Sequence, residues 1–193
     1  MSADRLIEDE QRLLLDVAEQ SVACGLEFGR AVDVDVSQCP AAVARERASF
    51  VTLRVGVALR GCIGSLRAQW ALVEDVAKNA FAAGFRDPRF PPLSAGELKS
   101  LSMSISVLGE PETVPVASER ELLERMQADE AGWILQHGQQ RGLLLPAVWE
   151  TVADPREFLE HLKCKARLAA DFWSADVVVQ RFTAHSFGRV AQR

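Results

Sequence analysis

The run Leu59-Arg60-Gly61-Cys62-Ile63-Gly64 holds the residue types and spacing most able to do chemistry. Side chains alternate along a strand, which sends Leu59, Gly61 and Ile63 to one face and Arg60 and Cys62 to the other. A guanidinium beside a thiol favours the thiolate, the nucleophilic form, so Cys62 with Arg60 is the candidate catalytic pair. The same residues also suit a structural arrangement. A cysteine in a half-apolar strand is a small buried hydrophobe, and paired glycines mark a bulge or close backbone packing. A second cluster, Arg86, Asp87, Arg89 and Phe90, lies in the proline-rich stretch RDPRFPPL. There Asp87 can contact a ligand, or it can bond its own backbone or either arginine, as turn residues do.

Other chemistries lack their signatures. Neither a Walker A run nor GxGxxG is present, and no GxSxG elbow marks a serine nucleophile. His137, His161 and His185 lie 24 residues apart twice. His161 and Cys164 share a helix face at i and i+3, but a pair is short of a ligand set, so neither a metal nor another cofactor is expected. Cys24, Cys39, Cys62 and Cys164 form no CxxC pair, which points to reduced thiols. Lysine plus arginine total 22 against 27 acidic residues, a formal charge of −5. That balance argues against broad capture of nucleic acid or anionic lipid. The N-terminal run MSADRLIEDEQR has no apolar core, and no apolar run approaches spanning length, so a soluble cytoplasmic protein is expected.

The elements that must position the two clusters follow from periodicity. Leu14, Val17, Ser21, Cys24 and Phe28 recur at helical steps within 4–28, with Cys24 as core filler. Cys39 before Pro40 precedes a short helix toward Arg47. Residues 50–57 and 57–65 form a hairpin around Gly56. A helix follows over 70–85, with Gly84 at its stop, then the proline loop, a short helix over 95–101 and an alternating strand over 102–108. Next come a helix over 119–127, a hairpin around 138–140, and a helix capped by Asp154 and Pro155, whose cationic end carries Lys163 and Arg167 as a solvated terminus. One strand over 176–187 ends the sequence. Antiparallel hairpins with segregated helices indicate an α+β fold. If the last strand rejoins the first sheet, a large lobe (1–109 with 174–193) carries an inserted small lobe (110–173), each an antiparallel sheet with flanking helices, and two lobes imply a cleft.

LRGCIG at 59–64 resembles the hallmark of the AMMECR domain family, called protein A of the AmmeMemoRadiSam gene cluster in bacteria. FVTL at 50–53, DPRFPPL at 87–93, ISVL at 105–108, GLLLP at 142–146 and FLEHLKCKARL at 158–168 resemble the family's successive blocks. One departure is Arg167, where the family usually has glycine. The resemblance implies a two-lobed fold with LRGCIG facing the interlobe cleft. It also implies association with a Memo-like protein and a radical SAM enzyme. Carried over by motif, Arg60, Gly61, Cys62 and Gly64 lead as site residues, with Arg86, Asp87, Arg89 and Phe90 as second contributors.

Two functions compete. In one, the protein is a binding or accessory module for a peptide or protein-sized ligand, with Gly61 and Gly64 admitting a partner backbone closely. In the other, Cys62 is the nucleophile or redox thiol of an enzyme, with Arg60 supplying charge. No histidine falls in a matched block beside LRGCIG, so the enzyme reading lacks a base unless His185 comes near.

Overall fold

Residues 5–189 are described by a computed structural model, in which two four-stranded antiparallel sheets with flanking helices are built in two separate units. Among the described residues the first unit comprises 5–108 and 185–189; the second is Gly109–Ala184.

The first unit's sheet has the order β2-β1-β3-β8, with β1 at Ser49–Val55, β2 at Ala58–Gly64, β3 at Leu101–Leu108 and β8 at Ala184–Arg189. Gly56 closes the β1–β2 hairpin at φ 59°, a left-handed conformation that costs glycine little. Val51, Leu53, Met103, Ile105 and Val107 bury one sheet face with helices α1 (Glu8–Phe28) and α3 (Leu72–Phe85), the short α2 (Ala41–Ala44) coming between them in sequence. The expected helix start at Asp4 lies outside the described residues. The buried stripe of α1 drifts from Leu14 through Ala18 to Val22 and Gly25, whereas Cys24 is only half-buried and Phe28 is 62% exposed. Cys24 is therefore not core filler. Gly25 takes the inner position because a Cβ there would overlap the Phe85 ring. Gly84 does not stop α3 either: it is buried within the helix, and its carbonyl accepts the Leu93 N–H at 2.8 Å, docking the proline loop.

Beneath the β1–β2 pair, the buried Asp75 of α3 accepts from the Ser49 N–H (2.8 Å) and hydroxyl (2.7 Å), from Asn79, and from the Ser65 hydroxyl. Burial pushes the Asp75 carboxyl up, while the Ser65 and Ser49 bonds oppose that rise. This cluster ties the start of β1 and the residue after β2 to one helix turn.

In the second unit the order is β4-β7-β5-β6, from Glu112–Thr113, Val178–Phe182, Gly132–His137 and Gln140–Leu144. Helices α4 (Glu119–Ala128) and α5 (Pro155–Lys165) pack on it around Trp133, Leu135, Phe158 and Leu162. The expected single strand over 176–187 is two strands divided at Thr183, with β7 in this sheet and β8 in the other. The second unit consequently runs to Ala184, where the sequence reading placed its end at 173. Lys163, expected on a solvated helix end, is fully buried, and its Nζ donates to Glu119 (3.0 Å) and to the Ala170 carbonyl (2.7 Å).

The end of α5 closes as a Schellman turn, with Arg167 N–H on the Cys164 carbonyl and Leu168 N–H on the Lys163 carbonyl, both 2.9 Å. Its left-handed position is Arg167, at φ 60°, the departure noted in the sequence. A left-handed non-glycine residue costs about 1–2 kcal/mol, and glycine returns part of that gain through unfolded-state entropy. Arg167→Gly is therefore expected to stabilise the fold by about 1 kcal/mol, read as a Tm rise of about 2–4 °C in thermal unfolding. An unchanged or lower Tm would contradict this account.

Candidate functional site

Cys62 lies on β2, an edge strand, directly opposite Thr52. Its N–H and C=O point away from β1 and would be unpaired without the loop after α3. Asp87 and Arg89 supply the missing partners. The Cys62 N–H donates to Asp87 Oδ2 at 2.9 Å, and Arg89 Nη2 donates to the Cys62 carbonyl at 3.2 Å. The two loop side chains stand in for a neighbouring strand.

The pair is itself tightly built. Arg89 donates through Nε (2.9 Å), Nη2 (2.6 Å) and its backbone N–H (3.1 Å) to the Asp87 carboxylate. Asp87 is 4% exposed, and chiefly through these Arg89 bonds its carboxyl lies far below the usual carboxylate range. The prolines make this arrangement accessible, because they exclude helix and strand from the segment and leave Asp87 to organise a turn.

Arg60 goes elsewhere. It has no partner in the β1–β2 register, which shifts between Leu53 and Arg54 so that Gly61 faces Leu53 and Leu59 faces Arg54. That bulge breaks the strict alternation on which a shared Arg60–Cys62 face depends. Arg60 Nε and Nη2 instead grip Glu97 at 2.5 and 3.3 Å. Glu97 comes from a short 3-10 turn at Ala95–Ser100; Arg60's bonds hold it down to about 2, aided by the Ser94 N–H and hydroxyl. Arg60 Nη1 is buried with no partner among the described residues. The polar contact to the thiol comes from Thr52, whose hydroxyl donates to Cys62 Sγ at 3.3 Å.

The glycines serve internal packing. A Cβ on Gly61 would overlap the Ala83 carbonyl of α3, and one on Gly64 would overlap the Phe50 ring. The protein's own atoms therefore fill the space that the sequence reading left for a partner backbone. Arg86 stacks its guanidinium 5.0 Å from the Phe81 ring, while Phe90 receives Arg89 at 5.4 Å and Arg60 at 6.0 Å. The eight candidates thus gather on β2 and the adjoining loop, joined by Thr52 and Glu97. Ser94-x-x-Glu97 is visible in sequence as a capping box, but nothing local foretells that Glu97 meets Arg60.

His185 does not join them. Ser186 bonds Ser106 at 2.8 Å across the outer sheet face, and alternation sends His185 to the other side, 5.6 Å from the Phe187 ring. Burial, with Arg5 and Arg47 nearby, pushes its imidazole below the ordinary value. Among the described residues no group of three or more His, Cys, Asp or Glu side chains is arranged to hold a metal ion. No helix among them is long and apolar enough to cross a membrane.

A family model described as AMMECR1 matches residues 15–187. Protein MJ0810 of Methanocaldococcus jannaschii is 37% identical over 162 residues, covering 82% of this chain and 81% of the relative. Protein MK0488 of Methanopyrus kandleri is 34% identical over 189 residues, covering 95% and 90%. The crystal structure of the uncharacterized protein PH0010 from Pyrococcus horikoshii aligns with a TM-score of 0.86 at 31% identity, covering 95% of this chain and 93% of that one.

Proposed function

The protein belongs to the AMMECR1 family, and from that premise we propose that it is a binding or accessory module acting with a Memo-like protein and a radical SAM enzyme. The observation that carries this reading is the way Cys62 is held. Its N–H, carbonyl and sulfur contact Asp87, Arg89 and Thr52, and none of these supplies a competent base. A general base works best with a pKa near the operating pH, and Asp87 and Glu97 are both driven far below it. The outward groups are of another kind. Arg86 and Arg89 are exposed beside Phe81 and Phe90, and arginine with aromatic rings is the pairing that anchors protein partners. An acidic segment of a partner protein suits them.

The test is titration calorimetry of the purified protein against the Memo-like and radical SAM proteins of the same genome. Micromolar binding to at least one, weakened about tenfold by Arg86→Ala and retained by Cys62→Ser, is the expected result. No complex with either, or a complex indifferent to Arg86→Ala, would overturn it. The Thr52 hydroxyl gives Sγ a hydrogen-bond donor at 3.3 Å, and that polar contact supports a second reading, a cysteine-dependent enzyme. A Cys62→Ser variant that still binds but abolishes the joint activity would select that second reading.

A further inference from the structure

β2 pairs along one side only, with β1, and the main-chain groups of its other side decide what can join it. In an antiparallel pair, successive residues turn their N–H and C=O alternately toward and away from the neighbouring strand. Ser65 N–H donates to the Ser49 carbonyl at 3.0 Å, so Ser65 faces inward while Gly64 and Cys62 face outward. At Cys62 the outward groups meet Asp87 and Arg89. At Gly64 they have no partner among the described residues. This edge lies in the plane of the sheet, apart from the space over Gly64 that the Phe50 ring fills.

The segment that covers the edge cannot itself become a strand. Residues 87–97 bond to β2 through their side chains, Asp87 and Arg89 at Cys62 and Glu97 at Arg60. No main-chain hydrogen bond joins the segment to β2 among the described residues; its own run from Phe90 N–H to the Asp87 carbonyl (3.1 Å) and from Leu93 N–H to the Gly84 carbonyl (2.8 Å). Pro88, Pro91 and Pro92 have no N–H to offer a ladder. Sheet edges are commonly guarded by residues of the edge strand itself, a proline or an outward charge. β2 has no proline, and its one charged residue, Arg60, is drawn aside to Glu97. Its guard sits instead on a separate segment, which can be withdrawn, and Gly64 is left open as a starting point.

We propose that the outer edge of β2 is a docking site for an extended acidic segment of a partner protein, which pairs with Gly64 first and then takes the place of the Asp87–Arg89 clasp at Cys62. The incoming strand supplies the acceptor and the donor that the clasp supplied. Its acidic character follows from the charges beside the edge, where Arg86 and Arg89 outnumber Asp87 and both arginines are exposed to a carboxylate. This inference rests on the proposed binding function and names the form of its ligand: main-chain pairing gives affinity, and charge selects the partner.

The experiment follows the Cys62 and Gly64 amide resonances of the ¹⁵N-labelled protein during titration with the blocked peptide acetyl-Val-Glu-Val-Glu-Val-amide. Saturable shifts at both amides are expected. Binding should weaken at least about tenfold when the peptide is N-methylated at alternate residues, and again when lysine replaces its glutamates. Asp87→Asn removes the charge that holds Arg89 and is expected to tighten binding about threefold or more. The peptide comparisons use the unaltered protein, so they decide the matter even if that variant folds poorly. No saturable shift up to about 10 mM peptide, equal binding of the N-methylated peptide, or an affinity unmoved by Asp87→Asn would overturn the site. Shifts at these amides that depend on protein concentration without peptide would assign the edge to a second copy of this chain and overturn the partner assignment. A complex with the Memo-like or radical SAM protein that leaves both amides unshifted would overturn strand docking alone, whereas peptide docking with neither complex formed would uphold this site and overturn those two partners.

Discussion

Replacing Gly61 by alanine will destabilise the first unit by on the order of 3 kcal/mol, and Gly64→Ala will cost about 1 kcal/mol. Both glycines belong to the same motif, so the difference is a test of cause. At Gly61 the added methyl meets the Ala83 carbonyl, a backbone atom of a buried helix turn. Relief requires moving α3 away from β2, which disturbs the core formed by Leu53, Val76 and Ala80. At Gly64 the obstacle is the Phe50 ring, a half-buried side chain that can swing aside. Urea unfolding of the two variants measures the gap. Equal effects would show that the glycines are needed for some reason other than the approach of α3.

Asp87→Ala will lower stability at neutral pH by about 2–3 kcal/mol, because it strands the Cys62 N–H at the sheet edge and releases Arg89. Arg89 is about half exposed and regains water, so the loss stays below that of a fully buried pair. The pH dependence has a definite sign. The folded-state pKa of Asp87 is depressed, so its contribution is complete above the unfolded value of about 3.9 and is lost as pH falls below it toward the folded value. The stability gap between the parent and Asp87→Ala should therefore be constant from neutral pH to about 5 and narrow below about 4. Denaturant unfolding across that range checks it, and a gap that widens on acidification would refute the ionised-cap assignment. Asp87→Asn should recover part of the loss, since an amide oxygen can still accept the Cys62 N–H.

Features held in a few consecutive residues were legible from sequence. Gly56 between two β-rich runs specified the first hairpin, and three prolines excluded regular structure from 86–93. Asp154 before Pro155 marked the start of α5, where its side chain does accept the Arg156 N–H at 2.7 Å. The order of the LRGCIG, DPRFPPL, ISVL and GLLLP blocks was enough to identify the family, since local spacing survives as text. Arg167 was visible as a departure, although only the structure showed that its position is left-handed.

The tertiary structure decided what depends on which distant segment arrives. Residues 176–187 have uniform strand character, and no local period says that Val178–Phe182 pairs with β5 while Ala184–Arg189 joins the other sheet. Arg60 was read as the charge beside Cys62 because alternation assumes an unbroken strand; a bulge and a carboxylate 37 positions away gave it to Glu97. Lys163 was read as solvated because its own helix end favours cations, but Glu119 and the Ala170 carbonyl close over it. Gly61 was read as room for a partner, and the atom occupying that room belongs to α3. Sequence alone specified the backbone conformations available to each segment, because those follow from neighbouring side chains and torsions. The fold specified the partner of each buried polar group, because a charge removed from water must be met by whatever the packing brings to it.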